Sequence, residues 1–201
     1  MKKRKIFQIA ILANDVGKDG NTLGEGTKAR CDCALAQIRT WLCQTPEVGP
    51  AQTVVIYIAT GKGGRWRGAT TFAAAMAEYL RTNLGNEAAR CGFVINEGEV
   101  QIWSTWSELK WIFSASEDQT TPFPCLMVYE PVRFVTNQIH SRRVRCIREH
   151  FLPEYSMGEF VFSNEAPPHR LHEMCAYIKL ALYYFGLGPL LEPLRRQFYN
   201  G

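Results

Sequence analysis

Short apolar runs alternate with segments of helical spacing along most of this chain, and that alternation restricts it to folds in which strands and helices take turns. Ile6 to Ala13 is a nearly continuous apolar run, as a strand buried on both faces requires, and the turn-rich stretch NDVGKDGNTLGEG follows it. From Thr27 to Cys43 the apolar residues Cys31, Ala34, Leu35, Ile38 and Leu42 fall on one helical stripe. The cycle then repeats. Thr53 to Thr60 (TVVIYIAT) is a β-branched strand, GKGGRWRG is the glycine loop behind it, and Thr71 to Leu84 is an alanine-rich helix.

Three further pairs complete the pattern. Gly92 to Asn96 predicts a short strand leading to a helix over Ser104 to Ser114, and Cys125 to Glu130 a strand leading to a helix over Thr136 to Phe151. Gly158 to Ser163 is the last strand and Pro168 to Phe185 the last helix, with Leu171, Met174, Ile178, Leu182 and Phe185 on its apolar face. Consecutive parallel strands need crossovers, and crossovers are right-handed, so the expected fold is α/β: a three-layer αβα Rossmann-like sandwich around a mostly parallel sheet of about five strands. A strand order of 3-2-1-4-5 places the topological switch between the first and fourth strands, where ligands bind outside the carboxyl ends. The loops of interest are then 14–26, 61–70 and 130–138.

A chain of 201 residues with 46% hydrophobic and 21% charged residues has enough apolar surface for one core and reads as a single domain, with a core over 6–186 and a C-terminal extension over 187–201. The net charge of +4 permits an anionic ligand, while the scattered basic residues argue against a nucleic-acid footprint. The opening MKKRK and IFQIAILA superficially match a secretory signal, but no small-x-small cleavage site follows, and Met174 to Leu187 is too short and too interrupted to span a membrane. A soluble, cytoplasmic protein is expected. The seven cysteines contain no CxxC pair and read as small buried side chains in a reducing compartment, with neither a disulfide framework nor a zinc site.

Three polar sets follow the predicted strands. Gly61, Lys62, Gly63, Gly64 and Arg65 leave a strand and enter a helix, where backbone amides are open to an anion, although the run is neither a Walker A loop nor a GxGxxG fingerprint. A helix terminus contributes only about 0.3–1 kcal/mol toward an anion, so other donors must converge, and Lys62, Arg65, Arg30 and Arg143 are the candidates. His140 and Arg143 stand one turn apart on one helix, suited to orienting a phosphate or carboxylate, with His140 as proton donor or acceptor near neutral pH. Glu99 with Ser104 and Thr105 offers a carboxylate and hydroxyls to sugar hydroxyls or an amine, or caps a helix. His169, His172 and Glu173 form HRLHE, which lacks the HExxH spacing, and no metal is indicated.

Taken in order, these stretches resemble the bacterial domain-of-unknown-function family that includes SanA, YdcF and ElyC. The matching residues are Asp19-Gly20 with Arg30; Thr60-Gly61; Thr71, Ala73 and Met76; Glu99 and Thr105; Val135-Thr136; and His140 with Arg143, over residues 6–150. The chain departs from that pattern at Phe72, Ile102 and Glu108, where the family has Glu, Ser and Asn, and at Ala13-Asn14-Asp15 in place of a glycine pair. The resemblance, to the soluble branch, implies a Rossmann-like protein that binds S-adenosylmethionine or a nucleotide through these positions, Thr71 and Thr136 included.

The leading functional expectation is therefore a binder of an anionic nucleotide-type or S-adenosylmethionine-type molecule, with transfer or hydrolysis as the reaction it would support. The anionic part would meet Arg30, Lys62, Arg65 and Arg143, and Glu99 would meet a ribose or amine. A second expectation is a phosphate-ester hydrolase with His140 as general acid and the Gly61 to Gly64 amides stabilising the transition state. The third is a non-catalytic interaction or nucleic-acid module using Lys2 to Lys5 and Arg142 to Arg148.

Overall fold

β1 (Arg4–Ile11) alternates its side chains between two apolar layers, which makes it the centre of the molecule. Ile9 and Ile11 face α1 (Glu25–Gln44) and α2 (Phe72–Leu84), whose Cys31, Leu35, Ile38, Met76 and Leu80 close one core. Ala10 and the following Leu12 face α3 (Thr105–Thr120) and α4 (Gln138–Phe151), whose Leu109, Ile112, Phe113, Val144 and Ile147 close the other. Burying each such Leu, Ile or Phe contributes about 1.5–3 kcal/mol. The computed structural model describes residues 4–44, 54–60, 66–98, 102, 105–120, 127–165 and 170–187.

The remaining elements are β2 (Val54–Ile58), β3 (Cys91–Ile95), β4 (Met127–Tyr129), β5 (Val132–Thr136), β6 (Met157–Phe162) and α5 (Arg170–Tyr184). The sheet order is β3-β2-β1-β5-β6, every pairing is parallel, and β4 lies beside the start of β1. This is a Rossmann-like three-layer sandwich, and the order of strands turns about between β1 and β5.

The fourth predicted strand is two strands. β4 pairs Arg4 to Ile6 and β5 pairs Ile9 to Ile11, so one flank of β1 is served by both. Pro131 interrupts them, since it has no N–H for the ladder. Gln8 bridges the gap: its Nε2 donates to the Glu130 carbonyl at 2.8 Å, while its Oε1 accepts from the Tyr57 hydroxyl at 2.5 Å. Residues 130–138, expected to be a ligand loop, are therefore mostly strand, and only the last of them reach the open end. The helix expected from Thr136 begins at Gln138, because Asn137 caps it by accepting from the His140 N–H at 2.6 Å.

Two other expectations are corrected. Met174, Ile178 and Phe185, which share the apolar stripe of α5, are each more than half exposed, and among the described residues of that helix Leu180 packs against the second core. Among the described cysteines only Cys31 and Cys91 are buried, whereas Cys43 and Cys175 are exposed. Burial pushes the thiols of Cys31 and Cys91 up to about 12. The C-terminal extension from 188 onward lies outside the described residues.

Candidate functional site

Buried polar side chains gather beyond the carboxyl ends of β1, β2 and β5. Thr136, at the end of β5, is fully buried and shares a 3.0 Å hydrogen bond with His140 Nδ1. His140 stands in the first turn of α4, and its Nε2 lies 3.2 Å from the Thr105 hydroxyl, which opens α3. The imidazole thus has a hydroxyl at each nitrogen. Because a hydroxyl can donate or accept, the ring can hold its proton on either side.

Arg30 reaches the same end of the sheet from α1. Its Nη1 donates to the carbonyls of Leu12 and Ala13 at 2.5 and 3.0 Å, while Nε and Nη2 grip the Glu165 carboxylate at 2.8 and 2.7 Å. Both side chains of this pair are almost wholly buried. Asn137 Nδ2 and Ser163 Oγ donate to the same carboxylate. Hydrogen bonds consequently run without a break from Arg30 through Glu165, Asn137 and His140 to Thr105, joining α1, the segment after β6, α4 and α3. Arg30 is directed at the protein itself, so its role here is to tie the end of β1 to the segment after β6.

Glu108 is the second buried carboxyl of the region. It lies one turn into α3 from Thr105, accepts from the Thr60 hydroxyl at 3.3 Å, and accepts from the backbone N–H of Ala13. Burial pushes its carboxyl up to about 7, against the opposing influence of the Arg30 guanidinium, the Thr60 hydroxyl, the Ala13 N–H and the Arg143 guanidinium. Arg143 itself is half-buried, one turn beyond His140 on α4.

The first loop is held by its own polar groups. Asp19 Oδ1 accepts from the N–H groups of Asn21 and Thr22 and from the Thr22 hydroxyl, which together hold its carboxyl below the usual range. Gly20 adopts φ 74°, a conformation costly for any residue with a Cβ, and its carbonyl accepts from the Arg67 N–H at 2.8 Å. The pair Asp19-Gly20 therefore shapes the loop and ties it to the segment after β2. Thr71 caps α2 by accepting from the Ala74 N–H at 3.1 Å. Gly61, Lys62, Gly63, Gly64, Arg65, Glu99, Ser104 and His169 lie outside the described residues, as do the side chains of His172 and Glu173.

Sequence reasoning missed Glu108, Asn137, Ser163 and Glu165. Asn137 carried a readable signal, an Asn directly before a helical stretch, whereas Glu165 lies 135 residues from its partner Arg30 and nothing local announces it. Glu108 was visible only as a departure from a family pattern. Among the described residues no group of three or more His, Cys, Asp or Glu side chains could hold a metal ion, and no described helix is long and apolar enough to cross a membrane. Comparison with known proteins gives no matching family model, no matching curated protein and no matching solved structure.

Proposed function

We propose that the crevice beyond β1, β2 and β5 binds an anionic small molecule of nucleotide or S-adenosylmethionine type. The observation that carries this reading is the concentration of buried polar side chains, Thr136, His140 and Glu108 among them, at the point where the strand order turns about. Burying polar groups is costly, and parallel sheets of this kind offer ligands this crevice. In this reading the anionic part meets Arg143, Lys62 and Arg65, while Arg30 holds Glu165. The same reading includes kinship with the SanA, YdcF and ElyC family and a cytoplasmic setting.

A thermal-shift panel of adenine nucleotides, S-adenosylmethionine and sugar phosphates tests it. At a hundredfold excess over Kd a ligand adds about 2.7 kcal/mol to stability, a readily measured rise in Tm. No shift with any of them, and no small molecule released from the purified protein on denaturation, would overturn the proposal.

Phosphate-ester hydrolysis is the second reading, favoured by the two hydroxyls that hold the His140 ring within the crevice. It predicts turnover of p-nitrophenyl phosphate that His140→Ala lowers by a factor of about 100 or more. Equal turnover in the variant removes His140 from any catalytic role.

A further inference from the structure

We propose that Glu108 is a ligand-contacting residue, the acceptor that takes a hydrogen-bond donor of the bound molecule, an amine N–H or a sugar O–H. The inference rests on the binding function proposed above and deepens it by naming a residue and the ligand chemistry it would read.

A buried carboxylate needs donors. Its two oxygens offer about four acceptor positions, and a carboxylate kept for structure alone is expected to have them matched by dedicated donors. Glu165 meets that expectation, with two bonds from Arg30 and one each from Asn137 and Ser163. Glu108 does not. Among the described residues its donors are Thr60, at a long 3.3 Å, and the Ala13 N–H. Arg30 and Arg143 are the charged groups that favour its ionised form, and neither is among its hydrogen-bond donors.

A neutral glutamine at this position could accept the same two bonds without the cost of burying an ionisable group. The carboxyl is nevertheless there, facing the ends of β1 and β2, with α3 holding it on the same helical face as Thr105. Burial holds its titration range up, and its described neighbours offset that burial only in part. A donor from a ligand would supply the missing partner and favour the ionised form.

That assignment sets the sign of a pH effect. A ligand donor that prefers carboxylate binds more tightly once the group is ionised, and by linkage releases its proton. Adenosine is a suitable probe, because it carries donors on both ribose and base and does not titrate near neutrality. With the free group titrating at about 7, adenosine affinity measured by calorimetry should rise about tenfold between pH 6 and pH 8. Glu108→Gln should bind at least tenfold more weakly at pH 8 and lose the pH dependence, with Glu108→Asp recovering part of it. Circular dichroism and Tm verify that both variants are folded.

The outcomes separate cleanly. If adenosine binds the wild type and Glu108→Gln equally, or if the pH dependence persists in the variant, this inference is overturned while the binding reading stands. If adenosine, S-adenosylmethionine and ribose 5-phosphate all fail to bind the wild type, both fall.

Discussion

Glu165 and Glu108 are both withdrawn from water at the carboxyl end of the sheet, yet the protein surrounds them differently. Glu165 belongs to the β1–β6 side, where Arg30 grips it through two nitrogens and Asn137 and Ser163 add further donors. Glu108 belongs to the β2 side, where a threonine hydroxyl and one backbone N–H are its described donors, and its carboxyl is pushed up to about 7. The difference separates two uses of a buried charge. A matched pair joins distant segments, whereas the carboxyl with few described donors is the one proposed above to meet a ligand.

The largest effect that could break this contrast is on the matched side. Glu165→Ala leaves the Arg30 guanidinium buried without its counter-charge and should cost about 3–5 kcal/mol in urea unfolding. The double variant Arg30→Met, Glu165→Leu should regain much of that loss, since both charges leave together. If Glu165→Ala costs under about 1 kcal/mol, the pair is not the joint described here.

Next in size is a pH effect on Glu108. Its folded value lies above the unfolded 4.5, so the folded state holds the proton more tightly, and the associated stability is fully present below about 4.5 and is lost as pH rises through about 7. The loss amounts to about 3 kcal/mol across that window, and Glu108→Gln should abolish it. Equal slopes in wild type and variant, from urea titrations at pH 5 and pH 8, would show that Glu108 has no raised affinity for its proton.

Smaller effects sharpen the boundary between the two sides. Asn137→Ala removes both the cap of α4 and a donor to Glu165, and about 1–2 kcal/mol should be lost on unfolding. Thr60→Val deletes a donor to Glu108 alone, so the carboxyl should titrate at still higher pH and stability at pH 8 should fall by about 1 kcal/mol. Carbon-13 NMR of the glutamate carboxyls follows the first of these directly. A Glu108 titration that Thr60→Val leaves unmoved would mean that the hydroxyl is not a working partner.

Much of the architecture was legible because burial imposes a period. Ile6 to Ala13 and Val54 to Ile58 are apolar because both their faces are covered, and the stripe from Cys31 to Leu42 is apolar because one face of α1 is. The fourth strand was read as ending at Glu130, whereas pairing resumes beyond Pro131, where Arg133 to Val135 run beside Ile9 to Ile11. α5 was legible as a helix, but not which of its side chains pack inward. Its apolar stripe satisfies the helical period, yet Met174, Ile178 and Phe185 are exposed while Leu180 packs inward.

The site divides along the same line. Glycines, hydroxyl residues and His140 stood out as types suited to chemistry in the positions that follow strands, and the structure brings Thr60, Thr105, Thr136, His140 and Arg143 to one end of the sheet. Arg30 stood out as a cation but not as half of an ion pair. The partnership is decided by where the segment after β6 returns, and no local pattern encodes that distance.

The amino-acid order by itself determined the alternation of strands and helices and the two-sided burial of the central strand, because hydrophobic spacing acts over a few residues at a time. The tertiary structure alone decided which charges neutralise each other and which carboxyl lies buried with few donors around it. Electrostatic free energy depends on separation in space and on the loss of water, and both quantities come into existence only when remote segments meet.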